Sequence, residues 1–112
     1  MKLYRTNDMP QQIWYYENGQ EQLKQWYDAY SCRIHRDNDL PAQIAYYENG
    51  QEMEKRWHKQ DNTHRDNNLP AFISYYENGN KRCEEWYVRN IPFRENNLPT
   101  SVVYDENGNE KI

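Results

Sequence analysis

The chain has 112 residues and a net charge of −4, with 36% apolar residues and 15% aromatic ones, among them eleven Tyr and four Trp. That length allows one domain with a thin core, whose apolar area must come from rings more than from aliphatic side chains. The mild, evenly spread negative charge argues against nonspecific nucleic-acid binding, which needs a basic patch to neutralise phosphates, and does not suit a DNA mimic.

The N-terminal stretch MKLYRTNDMPQQIWYY lacks the continuous apolar segment of a signal peptide. No apolar run approaches the roughly 20 residues that a membrane span needs. A cytoplasmic location is therefore expected, without a membrane association. Cys32 and Cys83 occupy positions that do not correspond between repeats. They read as two free thiols in a reducing compartment, with a disulfide as the alternative.

The chain is one phrase written four times. YYENGQ occurs at 15–20 and 46–51, YYENGN at 75–80 and YDENGN at 104–109. The glycines Gly19, Gly50, Gly79 and Gly108, all that the chain has, are spaced 31, 29 and 29 apart. Pro10, Pro41, Pro70 and Pro99 stand nine residues before them, and Trp26, Trp57 and Trp86 seven residues after. Arg5, Arg36, Arg65 and Arg94 precede their prolines by five. A single repeat domain over 1–112 follows, with units at about 5–35, 36–64, 65–93 and a truncated 94–112. The two extra residues of the first period lie between Trp26 and Arg36, in the connection DAYSCRI. A loop absorbs such an insertion more easily than a strand, where it shifts the register.

In chain order, each unit predicts a β-hairpin. In IWYYENGQEQLKQW, Asn18-Gly19 supplies two positive-φ residues for a type I′ turn. With Glu17 and Gln20 flanking that turn, Tyr15 faces Gln22 and Ile13 faces Lys24. One face then repeats as Ile13/Ile44/Ile73/Val102, Tyr15/Tyr46/Tyr75/Tyr104 and Trp26/Trp57/Trp86. It is the expected interior, since each ring packs on its own copy. The other face varies as Trp14/Ala45/Ser74/Val103 and ends in Tyr16/Tyr47/Tyr76/Asp105; it is expected to meet water or a partner.

Between hairpins come YRTNDMP, HRDNDLP, HRDNNLP and FRENNLP. Asn and Asp favour turns there, and the residue before Pro is pushed to extended geometry. The arginine column is expected to bond a neighbouring carboxylate or a turn carbonyl, tying one repeat to the next. No segment carries a helical stripe. The fold class expected is all-β: a single elongated, twisted antiparallel sheet of about four tandem hairpins.

This pattern of Trp, Arg-x-Asn-x-Leu-Pro and Tyr-Glu-Asn-Gly resembles MORN-type β-hairpin repeats, in a long-period variant, over essentially the whole chain. YYENG is similar to repeats of bacterial tandem-repeat proteins, some of them labelled antitoxins, and HRDNxLPA to repeats of phage and large-virus proteins. The resemblance implies an elongated sheet used as a scaffold or binding surface, with no catalytic residue. The glycines that usually follow the histidine are replaced by Arg36, Arg65 and Leu-Pro, and the period is longer than usual.

His35 and His64 share a column with Tyr4 and Phe93, so its common property is a flat ring with a packing role and not a metal ligand. Glu17, Glu48, Glu77 and Glu106 form a row beside the turns, where solvation is the default and no asymmetry raises one pKa. None of Ser31, Ser74 and Ser101 lies in a nucleophile elbow, and Cys32 with His35 lacks a third orienting group. The chain is read as non-enzymatic, without a cofactor or metal.

The binding residues expected are Trp14, Tyr16, Tyr47, Tyr76, Tyr27 and Tyr87, a stripe of rings that gives contact area at low entropic cost. Three functions compete. One is a module that binds a partner protein, in the antitoxin or host-defence-inhibitor sense of the resemblance. The second is self-assembly through open edges, the last hairpin lacking most of its return strand beyond Gly108; a charged edge at Glu110 and Lys111 that only resists aggregation is the simpler reading of that end. The third is capture of a planar ligand such as a nucleotide. Lipid binding ranks lower, since neither a basic amphipathic helix nor a polybasic patch is present.

Overall fold

A computed structural model describes residues 8–28 and 32–111. Seven strands form one open antiparallel sheet: β1 (Gln12–Tyr15), β2 (Glu21–Gln25), β3 (Gln43–Tyr46), β4 (Glu52–Arg56), β7 (Phe72–Tyr75), β8 (Lys81–Glu85) and β11 (Ser101–Val103), in the order β1-β2-β3-β4-β7-β8-β11. Successive YENG turns join the pairs, so the repeat is a hairpin and the fold is all-β. Two smaller hairpins lie outside this sheet: β5 (His58–Lys59) with β6 (Asn62–Thr63), and β9 (Tyr87–Val88) with β10 (Ile91–Pro92). The whole is a slab of 51 × 38 × 18 Å.

The turn differs from the expected type I′. The Gly19 amide donates to the Tyr16 carbonyl and the Tyr16 amide to the Gln20 carbonyl, which leaves Glu17, Asn18 and Gly19 as a three-residue loop. Only the glycine takes positive φ, +87 to +92 in the four copies. This is a type I turn closed by a left-handed glycine. Asn18 stays on the negative side, and its Oδ1 accepts the Gln20 amide at 2.9 Å.

The register changes accordingly. Ile13 faces Lys24 as expected, but Tyr15 faces Glu21, because Gln22 forms a bulge; β3–β4 and β7–β8 repeat it. The bulge brings Glu21 and Lys24 onto one face at 3.1 Å, and Glu52 and Lys55 likewise at 3.2 Å.

The expected interior face is buried at the tryptophans and in the two middle hairpins, while Ile13 and Val102 are only half-buried. Trp26, Trp57 and Trp86 are buried, together with Ile44 and Ile73 and the small Ala42 and Ala71, whose carbonyls accept the Trp26 and Trp57 amides. Each aliphatic side chain buried there is worth about 1.5–3 kcal/mol. Tyr46 and Tyr75 are half-buried, with the Lys24 and Lys55 ammonium groups 5.4 and 5.6 Å from their ring centres. Tyr15 has no such lysine among the described residues and is exposed.

The connections are more ordered than turn residues alone suggested. Asn38-Asp39, Asn67-Asn68 and Asn96-Asn97 each place two successive residues at positive φ, the region Asn and Asp tolerate best. The expected type I′ turns sit in the small hairpins instead, at Gln60-Asp61 and Arg89-Asn90. In the first repeat the corresponding position is held by a Tyr27–Ile34 bridge and a bond from the Asp28 amide to the Arg33 carbonyl. That is where the two-residue insertion is absorbed.

Candidate functional site

The connections converge on a knot that recurs once per repeat. Each indole donates from Nε1 to the carbonyl of a left-handed residue eighteen positions earlier: Trp26 to Asp8 (2.8 Å), Trp57 to Asp39 (3.0 Å) and Trp86 to Asn68 (3.1 Å). The arginine of the following repeat lies flat over the same ring, Arg36 at 3.7 Å, Arg65 at 3.9 Å and Arg94 at 3.7 Å from the centroid. Its Nη1 donates to the proline carbonyl five residues on, Pro41, Pro70 or Pro99, at 3.0–3.1 Å.

The remaining donors meet a carboxylate from the repeat before. Arg36 Nε and Nη2 reach Asp8 Oδ2 at 2.9 and 2.8 Å, and Arg65 spans both oxygens of Asp39 at 2.9 and 3.2 Å. The arginines thus bond a carboxylate and a turn carbonyl, as the column suggested. Arg5 lies outside the described residues. At Arg94 the acid is replaced by Asn68, whose Oδ1 accepts the Glu95 amide, and Arg94 Nε is buried without a partner among the described residues.

A second ladder joins the small hairpins. The Asp61 amide donates to the Ile34 carbonyl while Asp61 Oδ1 accepts the Ile34 amide, at 2.9 and 2.7 Å. Asn90 does the same to Thr63, at 2.9 and 2.7 Å, and its amide group also reaches Asn62 Oδ1. His35 Nδ1 accepts the Gln60 amide at 3.3 Å and His64 Nδ1 the Arg89 amide at 3.1 Å. With Nδ1 accepting, the ring hydrogen sits on Nε2, facing Asp37 at 2.8 Å and Asp66 at 2.7 Å. The histidine column therefore bonds as well as packs. Among the described residues no group of three or more His, Cys, Asp or Glu is placed to hold a metal.

The expected aromatic stripe is distributed differently. Tyr16, Tyr47 and Tyr76 are half-buried, and each hydroxyl donates to a backbone carbonyl of the next hairpin: Tyr46 (2.6 Å), Tyr75 (2.7 Å) and Tyr104 (2.7 Å). They lace adjacent repeats together, so their polar ends are already engaged. The Tyr27 hydroxyl sits between the side-chain amides of Gln12 and Gln25, and Tyr87 donates to Glu85, which pushes its pKa up. Trp14 stands exposed on the variable face. The same face carries a Gln25–Gln43 bond and Arg56 stacked 4.5 Å over Phe72, so it is a mixed polar surface and not a run of rings.

Cys32 and Cys83 are both free. Burial and the Glu85 carboxylate push the Cys83 thiol up, away from the reactive thiolate. Glu84 replaces the lysine column in the third hairpin; it binds Lys81 and accepts the Tyr104 hydroxyl, which is pushed up to about 12 by that hydrogen bond.

One further column emerges that the sequence reading did not single out. The residues before the prolines, Met9, Leu40, Leu69 and Leu98, are 59%, 38%, 38% and 46% exposed. They recur once per repeat as a ladder of large apolar residues in sequence, each directly after a left-handed Asp or Asn of the connection. The repetition of Met or Leu before Pro was the available signal, read only as backbone geometry. Among the described residues no helix is long and apolar enough to cross a membrane. No known protein family, curated protein or solved structure matches this chain.

Proposed function

We propose that this chain is a non-enzymatic, MORN-like repeat module that binds a partner protein, with the ladder of Met9, Leu40, Leu69 and Leu98 as its contact surface. The observation that carries the reading is the exposure of these four in-register side chains on a rigid frame. Met9, Leu40, Leu69 and Leu98 each keep a third or more of their surface open to solvent, and an apolar side chain exposed at the same place in every repeat suits a protein surface. The knots behind it lower the ordering cost on binding, because the backbone is already held by the indole and guanidinium contacts. The resemblance to bacterial, phage and large-virus repeats makes an inhibitor of a toxin or host-defence protein the sharpest form of this reading.

The planar-ligand reading has less support. The faces on which a base would stack are occupied by Arg36, Arg65 and Arg94. Affinity capture from the native extract, comparing the chain with a Leu40→Asp/Leu98→Asp variant of equal thermal stability, tests the proposal. A specific protein enriched by the first and lost with the second is the expected result. Identical captured proteins for both would remove the ladder from consideration.

A further inference from the structure

Each of the three junctions between consecutive large hairpins is made of the same contacts. The return strand of one hairpin pairs antiparallel with the first strand of the next, Lys24 opposite Ile44, Lys55 opposite Ile73 and Glu84 opposite Val102. The tryptophan amide that follows the return strand donates to the carbonyl of Ala42, Ala71 or Thr100, at 2.8–2.9 Å. At the first two junctions the lysine ammonium lies against the next hairpin's tyrosine, and at the third Glu84 accepts the Tyr104 hydroxyl. A hydroxyl from Tyr16, Tyr47 or Tyr76 closes each junction on the carbonyl of that same tyrosine.

The first hairpin receives none of these contacts among the described residues. β1 is the end strand of the sheet and pairs only with β2. Its outward positions follow from the later copies: the Tyr104 amide donates to the Arg82 carbonyl of the preceding strand, and Tyr15 holds the same place in its own hairpin. Alternation puts the Ile13 amide and carbonyl on that side too. Burial follows the pairing. Ile44 and Ile73 are 9% and 7% exposed where Ile13 is only half-buried, and Tyr46 and Tyr75 are half-buried where Tyr15 is 58% exposed. The segment leading into β1 turns inward, since Asp8 holds Trp26 and Arg36 and the Gln11 amide bonds the Gln25 carbonyl.

The two ends of the sheet differ in how they are closed. At β11 the chain folds back on its own strand: Tyr104 bridges Glu110, and the Lys111 amide donates to the Val103 carbonyl at 2.8 Å. Asp105, in the column of Tyr16, Tyr47 and Tyr76, turns its Oδ1 to the Asn107 and Asn109 amides of its own turn. β1, with the sequence QIWY, has neither a charged residue nor a proline within it, the devices that keep an edge from pairing. The three junctions specify what fits such an edge: an extended strand, antiparallel to β1, with a lysine opposite Ile13. A second copy of this chain has no such strand to offer, because β2 and β4, which carry the lysines, are paired on both sides.

We propose that the outer edge of β1 takes up an extended segment of the partner protein as an eighth strand of the sheet, antiparallel to β1, with a lysine opposite Ile13 and its ammonium against the Tyr15 ring. Main-chain bonds to Ile13, Tyr15 and the Gln11 carbonyl hold the segment, and the lysine fixes its register. The inference rests on the protein-binding reading above and shares no side chain with the ladder of Met9, Leu40, Leu69 and Leu98.

Fluorescence polarisation of the full chain tests it with a labelled peptide that copies residues 52–57, EMEKRW, the return strand of the second hairpin with its tryptophan. In the folded chain the Trp57 amide bonds Ala71 in the next hairpin, while the Arg56 carbonyl accepts from Ala42 in its own. By alternation the Lys55 amide faces β7 and the Arg56 amide faces β3. N-methylation of the peptide at Lys55 is therefore expected to weaken binding about tenfold or more, and N-methylation at Arg56 to leave it unchanged. Ile13→Pro, which removes an amide that β2 does not use, is expected to weaken binding as strongly in a chain of unaltered thermal stability. Tyr15→Ser, at an exposed ring, and Lys55→Ala in the peptide are expected to cause smaller losses that do not add when combined. Absent binding of the parent peptide, or equal losses from the two N-methylations, would overturn the edge. So would a dimer of the full chain that Ile13→Pro dissociates, because the edge would then belong to a second copy. Loss of protein capture with Leu40→Asp/Leu98→Asp alongside absent peptide binding would sink the edge alone. The reverse pattern would sink the ladder and leave the edge standing.

Discussion

The knots around Trp26 and Trp57 and the knot around Trp86 have the same shape on different chemistry. In the first two a carboxylate clamps the stacked arginine; in the third an asparagine stands in its place and one guanidinium nitrogen is left without a partner. Yet the stacking distance, 3.7–3.9 Å, and the indole-to-carbonyl bond, 2.8–3.1 Å, are kept in all three. The ion pair is therefore not what sets the geometry. The left-handed Asn/Asp turn and the ring it caps do that, and the carboxylate adds stability to a frame already in place.

The comparison breaks most severely if the ring is removed. Trp57→Ala and Trp86→Ala are each expected to cost about 3–5 kcal/mol, seen as a large drop in the urea midpoint, because both knots depend on the indole alike. Near-neutral behaviour of either variant would remove the indole from its central place. The arginines should separate the two kinds of knot. Arg65→Met loses a bidentate pair and is expected to destabilise by about 1–2 kcal/mol, whereas Arg94→Met relieves an unpaired buried donor and should be close to neutral. Equal losses in denaturant titrations of the two would mean that stacking alone carries the arginine's contribution.

The smallest effect is the most pointed. Asn68→Asp restores the missing acid at a position whose φ of +57 Asp39 already adopts. It is expected to stabilise by about 0.5–1 kcal/mol, the modest value reflecting that the existing pairs are partly exposed. Thermal melts of the variant and parent in low and high salt check it, the gain shrinking as salt rises. A destabilised variant would show that the Asn68 bond to the Glu95 amide matters more than the arginine.

Much of this architecture was legible in four coincident columns of residues. The hairpin, the buried Ile and Trp face and the arginine tether all follow from side chains that repeat in phase. The turn type did not, because Asn-Gly serves both a two-residue reversal and a three-residue loop, and the bulge at Gln22 that accompanies the latter has no composition of its own. The small hairpins escaped because strands of two residues, such as His58–Lys59 and Asn62–Thr63, are too short to show alternation. Tyr16, Tyr47 and Tyr76 were assigned to the open face by alternation, but their near-invariance was itself the sign of a structural tie. The Met and Leu before each proline were read for their backbone effect alone, so their exposure went unforeseen.

The chain of bonds between the small hairpins runs one way, each turn reaching back to its predecessor. Ile91, Pro92 and Phe93 keep the backbone carbonyl of that pattern but lack the Asn62 side chain, the Thr63 amide hydrogen and the His64 ring nitrogen of the unit before. Copies of the unit 36–64, which both reaches back and receives, therefore keep this pattern of bonds closed when they are spliced in upstream of residue 91. A spacer built from that unit would move the first and last hairpins apart in fixed increments while leaving the surroundings of Ile91, Pro92 and Phe93 unchanged.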